Sequence, residues 1–176
     1  GKVLVTRWGG VETSGRIVEV EAYKGTEDKA SHAYAGRRTA RNEVMYAAGG
    51  VAYIYLCYGI HHLVNVVTHT KDIPHAVLIR ALEPLTGIDI MLKRTGKSNP
   101  DFSITRGPGN LSKALGLHVS KSGWSLTSNE FFIAEDGVVY SSKEINSSPR
   151  IGVDYAEEDA LLPYRFYVKG NTFVSA

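Results

Sequence analysis

The stretch VAYIYLCYGIHHLVNVV, Val51 to Val67, is crowded with β-branched and aromatic residues and interrupted once, at Gly59. Two such runs flanking a glycine spell a β-hairpin. Branched and aromatic side chains fit a pleated surface, and glycine supplies the backbone freedom of a tight turn. Alternation puts Val51, Tyr53, Tyr55 and Cys57 on one face and Ala52, Ile54, Leu56 and Tyr58 on the other. The turn itself is odd, because Tyr58-Gly59-Ile60 carries bulky apolar residues where Asn, Asp or Ser are usual. Two readings stand open: a neighbouring loop covers the tip, or the tip is a wedge for an apolar space such as the stack of a nucleic acid.

Upstream, Lys2 to Arg7 and Gly15 to Tyr23 read as strands joined across Gly9-Gly10. In the second, Arg16, Val18, Val20 and Ala22 point one way, and Ile17, Glu19, Glu21 and Tyr23 the other. That second face is either solvent-exposed, with its carboxylates answering surface cations, or a place where two acids and a ring work together. Gly25 to Gly36 reads as a loop with a helical turn around Glu27 to Ser31, holding His32 and Tyr34. Asn42 to Ala47 suggests a short helix ended by Gly49-Gly50. Downstream of the hairpin, Ala76 to Leu82 is a strongly apolar strand with a single charge, Arg80. An arginine there is costly to bury unless an anion meets it, and a carboxylate is the natural partner. Thr86 to Arg94 reads as a helix with Thr86 as N-cap, and Pro108 to Leu115 as a second, closed by Gly116. Short strands follow at Phe131 to Ala134, Val138 to Ser141 and Arg165 to Val168, around a Tyr155 to Leu161 helix. The pattern predicts one α+β domain over residues 1–176, with a curved antiparallel sheet, short peripheral helices and a protruding hairpin.

Hydrophobic residues make up 43% and charged residues 22% of the 176, as in a soluble globular domain. A net charge of +2 gives no global basic field, although Arg37-Arg38 with Arg41, and Lys93-Arg94 with Lys97, form local groups. These are either phosphate contacts or solvated surface. The single cysteine, Cys57, rules out an internal disulfide and suits a reducing compartment. No run reaches membrane-spanning length, and there is no signal peptide. Histidines 61, 62, 69 and 75 lack the paired spacing of a zinc site, so neither metal nor other cofactor is expected. No nucleophile elbow or phosphate-cradling loop is present. What remains is a carboxylate-rich strand, an isolated arginine, and tyrosines with a histidine, a set suited to acid/base chemistry on something flat and aromatic.

Arg16-Ile-Val-Glu-Val-Glu21-Ala-Tyr23, followed by Asp28, His32 and Thr39-Ala-Arg41-Asn42, resembles the N-terminal signature of the alkyladenine (3-methyladenine) DNA glycosylases of the human and bacterial type. Tyr53-Ile-Tyr55-Leu-Cys-Tyr58-Gly59, Val77-Leu-Ile-Arg80-Ala-Leu-Glu-Pro84, Arg106-Gly-Pro-Gly109, Arg150-Ile-Gly152 and Arg165-Phe-Tyr-Val168 follow in that family's order. The resemblance therefore spans nearly the whole chain. It implies a monofunctional enzyme, without strand cleavage, that flips a damaged purine from duplex DNA and hydrolyses its N-glycosidic bond. By position, Glu21 is similar to the general base, with Arg80 and the Ile151 backbone carbonyl helping to hold the attacking water. Tyr23 on one side and His32 with Tyr55 on the other correspond to the sandwich around the flipped base. Asn65 matches the position that crowds the guanine amino group, and the His32 backbone N–H the one that reads the base edge. Tyr58, with Ile60 beside it, matches the intercalating wedge, and Arg37 and Arg41 become candidate phosphate contacts.

Three departures stand out: Ile60 replaces the human-type methionine, Asn110 follows Gly-Pro-Gly where many members place a lysine, and the family's leading N-terminal helix has no counterpart. The expected partner is double-stranded DNA containing a damaged purine, met by a monomer without a membrane. The implied location is the cytoplasm or nucleoid of a bacterium, or a nucleus in a eukaryote. Two rivals share parts of the signature. One is a catalytically silent nucleic-acid-binding module with the same pocket. The other is a carbohydrate hydrolase using Glu19 and Glu21 as its acid pair, since Cα atoms two apart on a strand lie about 6.5 to 7 Å apart.

Overall fold

A computed structural model describes residues 1–175 as an eight-stranded antiparallel sheet flanked by two short α-helices and several 3₁₀ turns. The strands are β1 (Val3–Trp8), β2 (Val11–Lys24), β3 (Ala52–Cys57), β4 (His61–Val67), β5 (His75–Thr86), β6 (Phe131–Ala134), β7 (Ile145–Ser148) and β8 (Arg165–Val168). Their order is β3-β4-β5-β2-β1-β6, with β8 pairing to both β2 and β7. The α+β domain with a curved antiparallel sheet is thus the architecture found.

β2 is the spine. β5 runs along one edge of it, from Ser14 to Lys24, so β1 and β8 must share the other: Val11 to Arg16 against β1, then Glu19 to Glu21 against β8. Between Ile17 and Val20 the β2–β5 register shifts twice, Ile17 facing Leu82, Glu19 facing Ala81 and Val20 facing Ile79. Such bulges bend a strand and re-aim its side chains. Here the irregularity falls on Glu19 and on Arg80 opposite.

The two faces of the sheet have different tasks. Ala52, Ile54, Val64, Ile79 and Leu82 pack with Leu4 and Phe131 against α1 (Ile88–Thr95) and α2 (Pro108–Ala114), through Met91, Leu111 and Leu115. On the opposite face Tyr53, Val67 and Ala76 cover Ala33, Met45 and Tyr46. Alternation along β3 sends Ala52 and Ile54 to the helical core and Tyr53 and Tyr55 to the second layer, as period-two reasoning requires, while Leu56 near the tip is exposed.

Several boundaries differ from the sequence reading. β5 continues through Thr86, so Gly87, not Thr86, caps α1. Its φ of 75° and an ideal Cβ only 2.4 Å from the Glu12 carbonyl oxygen leave room for glycine alone. Val138 to Ser141 is not a strand: Asp136 accepts from Arg16 and from the Val138 amide, and Val139 stands 87% exposed. A capping box between Ser141 and Glu144 then turns the chain into β7, which the sequence reading missed. The expected helical turn at Glu27 to Ser31 is replaced by 3₁₀ turns at Gly25–Glu27 and Tyr34–Gly36. The Asp28 carboxylate, accepting from the Lys24 and Ala30 amides, holds the chain between them. The Asn42 to Ala47 and Tyr155 to Leu161 helices are 3₁₀ segments, Glu43–Tyr46 and Asp154–Leu161, the latter kinked at Glu157. No helix among the described residues is long and apolar enough to cross a membrane.

Candidate active site

The bulge in β2 brings two acids and an arginine together below the sheet surface. Glu21 is 0% and Glu19 1% exposed, which removes the solvent-face reading of that strand. Glu21 Oε1 accepts the Ile151 backbone N–H at 2.8 Å and lies 3.3 Å from Arg80 Nη1, while its Oε2 accepts the Tyr23 hydroxyl at 2.9 Å. The cation expected to need a carboxylate therefore has two, because Arg80 Nε also donates to Glu19 Oε1 at 3.0 Å. Glu19 is further held by Arg165 Nε at 2.7 Å and by the Ser175 amide at 2.7 Å and hydroxyl at 2.7 and 2.8 Å.

Burial alone would push the Glu19 carboxyl up, but the Ser175 and Arg165 hydrogen bonds and the Arg80 charge outweigh it and hold it below the usual carboxylate range. With both oxygens taken by Arg80, Arg165 and Ser175, Glu19 offers no free lone pair to a sugar or a water, so it serves neither as the acid nor as the nucleophile of a glycosidase pair. The Glu19–Glu21 acid pair of the carbohydrate-hydrolase reading is thereby corrected.

Beside these acids lies a slot of about 330 Å³, counting its open mouth, walled by Tyr23, His32, Tyr53, Tyr55, Asn65 and Tyr155, with Ala30, Met45 and Ala76 behind. The His32 and Tyr55 rings meet edge to face at 4.5 Å, and His32 Nδ1 lies 2.9 Å from the Tyr53 hydroxyl. Burial, reinforced by the charges of Arg41 and Arg37, lowers the His32 pKa and favours the neutral ring. Burial likewise pushes the Tyr53 phenol up to about 12, and those of Tyr23 and Tyr55 further, so the walls are neutral and electron-rich. Asn65 Nδ2 donates to the Tyr53 carbonyl at 3.1 Å, which fixes the amide in the slot.

The loop carrying His32 is held from two sides. Asn42 donates to the His32 and Arg37 carbonyls at 2.9 and 2.8 Å. Asp28, itself buried, takes Arg150 in a bidentate pair at 2.6 and 2.8 Å, and the Arg150 guanidinium sits 4.8 Å from the centre of the Tyr23 ring. The residue after Arg150 is Ile151, so one ion pair positions both the Tyr23 wall and the amide that holds Glu21.

The hairpin tip is bare, with Tyr58 91% and Ile60 71% exposed. Covering by a neighbouring loop is excluded. The loop between the paired Cys57 and His61 is three residues long, and within it Tyr58 and Gly59 are the central pair of a turn closed by the Ile60 N–H donating to the Cys57 carbonyl at 3.1 Å; their φ of 49° and 72° are the left-handed values that Asn-Gly usually supplies. Tyrosine there is strained by about 1–2 kcal/mol. A strained aromatic at an exposed tip is a feature the fold alone does not ask for.

Of the basic groups, Arg38 is tied to Glu43 and Asp72. Arg37 and Arg41 have no carboxylate within salt-bridge distance among the described residues. They line a polar recess with His32, Thr39 and Asn42 next to the slot, and Arg41 donates to the Leu56 carbonyl beside the tip. The second group turns away: Arg94 donates to Thr13 and to the Ala114 carbonyl at the end of α2, and Lys97 to Ser103.

The structure thus gathers Glu21, Arg80, Ile151, Tyr23, His32, Tyr55 and Asn65 in one place, with Arg37 and Arg41 along its side and Tyr58 and Ile60 on the hairpin tip. What touches Glu21 is the Ile151 N–H rather than its carbonyl. The sequence reading passed over Tyr53, although period two puts it on the same face as Tyr55. It also passed over Tyr155 and the Asp28–Arg150 pair, whose members lie 122 residues apart and leave no local signal.

A family model described as Methylpurine-DNA glycosylase matches residues 1–172. A relative from Chlamydia abortus (strain DSM 27085 / S26/3), provisionally named a 3-methyladenine DNA glycosylase, is 51% identical over 167 residues, covering 94% of this chain and 86% of its own length. One from Bacillus cereus (strain G9842), under the same name, is 48% identical over 183 aligned positions, covering 99% of this chain and 89% of its own.

Proposed function

The chain belongs to the methylpurine-DNA glycosylase family, and on that premise we propose that it flips damaged purines out of duplex DNA and hydrolyses the N-glycosidic bond with water activated by Glu21. The observation that carries this reading is the convergence of Glu21 and Arg80 behind Tyr23, at the edge of an aromatic slot whose neighbouring hairpin bears an exposed Tyr58.

In this mechanism Glu21 takes the proton of the attacking water while the base leaves, and its charge stabilises the oxocarbenium-like sugar. Arg80 fixes the carboxylate from 3.3 Å away. Tyr23 stacks on one face of the flipped base, with His32 and Tyr55 on the other. An alkylated purine carries positive charge, and neutral, electron-rich rings hold it better than its undamaged counterpart. Asn65 crowds the exocyclic amino group of guanine, and the His32 backbone N–H reads the base edge. Tyr58 and Ile60 fill the gap left in the stack, while Arg37 and Arg41 hold phosphates. None of the residues lining the slot is a lysine able to form a Schiff base, so the reaction stops at the abasic site.

The test is single-turnover incubation with duplexes each bearing one 3-methyladenine, 7-methylguanine, hypoxanthine or ethenoadenine, reading released base and alkali-labile sites. Release from at least one lesion duplex and none from undamaged DNA is expected; a protein that binds all four and releases nothing is the silent binder instead.

Two further outcomes follow from the wedge and the arginines. Tyr58→Asn relieves the left-handed strain and is expected to raise the melting temperature slightly while weakening capture of the flipped base, seen as a higher half-saturating enzyme concentration. Unchanged capture would remove the wedge role. Arg37→Ala and Arg41→Ala are each expected to weaken duplex affinity on every sequence and to reduce the slope of log affinity against log salt by about 0.9. An unaltered slope would mean that neither residue touches a phosphate.

A further inference from the structure

We infer that Glu19 is a positioning residue for the reaction proposed above, holding Arg80 so that a single nitrogen faces Glu21, and that it is itself set by a clasp of Arg165 and Ser175. The inference rests on that functional reading. Arginine ordinarily meets a carboxylate with two parallel N–H bonds. Arg80 does not. Its three nitrogens go to three partners: Nε to Glu19 at 3.0 Å, Nη1 to Glu21 at 3.3 Å and Nη2 to the Ser175 hydroxyl at 3.4 Å.

Glu19 enforces this splayed arrangement because it cannot move. Arg165 Nε, the Ser175 amide and the Ser175 hydroxyl occupy its two oxygens, and the β2 bulge sets it against Arg80. Arg165 is itself anchored, donating through Nη2 to the Ser175 carbonyl at 2.5 Å. Stability gives no reason for such a cluster, since buried ion pairs are often matched or bettered by apolar residues of the same volume. Geometry does give one. Released from Glu19, Arg80 can swing into a bidentate pair with Glu21 and occupy the lone pairs that a water must reach. The charges also balance as found, Glu19 and Glu21 against Arg80 and Arg165, so losing Glu19 leaves an excess cation where positive charge develops on the sugar.

The test compares Glu19→Gln, Arg165→Met and the double variant in single-turnover base release, on the lesion that the unaltered protein cleaves best. Glu19→Gln is expected to keep half-saturation within about threefold and to lower the maximal rate about tenfold or more. The double variant restores charge balance and regains thermal stability, yet stays slow. If the double variant regains the rate, Glu19 is only the counter-ion of Arg165 and the inference falls; it falls too if Glu19→Gln is as fast as the unaltered protein. Should Glu19→Gln not fold, Ser175→Ala removes the hydroxyl bonds to Glu19 and Arg80 alone. A lowered maximal rate at unchanged half-saturation is then expected, and an unchanged rate overturns the inference. Absence of release by the unaltered protein would instead sink the proposed function, so the two failures are distinct.

Discussion

Replacing Glu21 by Gln is expected to lower single-turnover base release by about 10²- to 10⁴-fold, the range for loss of a positioned general base, while leaving affinity for the lesion duplex intact. That span corresponds to about 2.7–5.5 kcal/mol of transition-state stabilisation. The substitution is unusually clean at this site. The amide oxygen can still accept the Ile151 N–H and face Arg80, as Oε1 does now. The amide nitrogen takes the place of Oε2, where it can donate to the Tyr23 hydroxyl oxygen with that hydroxyl rotated. What is lost is the ability to take a proton and the negative charge beside the sugar. A variant that binds the lesion duplex and still releases base at nearly the original rate would remove Glu21 from the mechanism and leave the slot as a binding module.

This expectation depends on features of unequal visibility in the sequence. The hairpin is legible because alternation and a single glycine specify it; its tip stands out because Tyr58 and Ile60 break turn chemistry, but whether the tip is covered or bare is not readable from those residues, and the wedge reading comes from the family resemblance. The buried ion cluster was half legible. A lone Arg80 in an apolar strand announces the need for an anion, and alternation on β2 puts Glu19 and Glu21 on one face. Which acid does what was not readable, because the assignment depends on the bulge at Glu19 and Arg80, and a register shift leaves no trace in period-two patterning. The roles of Asn65, Ile151 and the two arginines came from family resemblance, not from spacing.

The errors have the same origin. Val138-Val139-Tyr140 has the composition of a strand but pairs with no strand among the described residues, whereas Ile145-Asn-Ser-Ser148 has little β propensity and becomes β7 because β8 offers it an edge. Thr86 is a good cap by composition, but sheet pairing with Ser14 keeps it in β5 and passes the cap to Gly87. In each case tertiary pairing overrode local preference.

The same long-range logic makes Asp28 the residue whose loss should unfold the site most thoroughly. Asp28 and Arg150 are both buried, and the pair is bidentate, with the Lys24 and Ala30 amides on the remaining carboxylate lone pairs. Asp28→Ala strands the Arg150 guanidinium against the Ala22 and Asp159 carbonyls alone. Breaking one side of such a pair costs about 3–5 kcal/mol. For a chain of this size that lowers the melting temperature by about 6–20 °C. Burial opposes ionisation of Asp28, but the Arg150 pair and the two amides win and hold its pKa below the usual value. A depressed acid contributes stability that is fully present above its unfolded pKa, near 4, and is lost as pH falls through the lower folded one. Melting curves of the unaltered protein should therefore fall more steeply below about pH 4 than those of Asp28→Ala, and the difference between them should shrink on acidification. Because Arg150 backs Tyr23 and delivers Ile151 to Glu21, base release should fall with stability even at temperatures where the variant is folded. A folded Asp28→Ala protein with full excision activity would show that the pair serves the fold alone, and a melting temperature unchanged at neutral pH would show that it does not serve the fold.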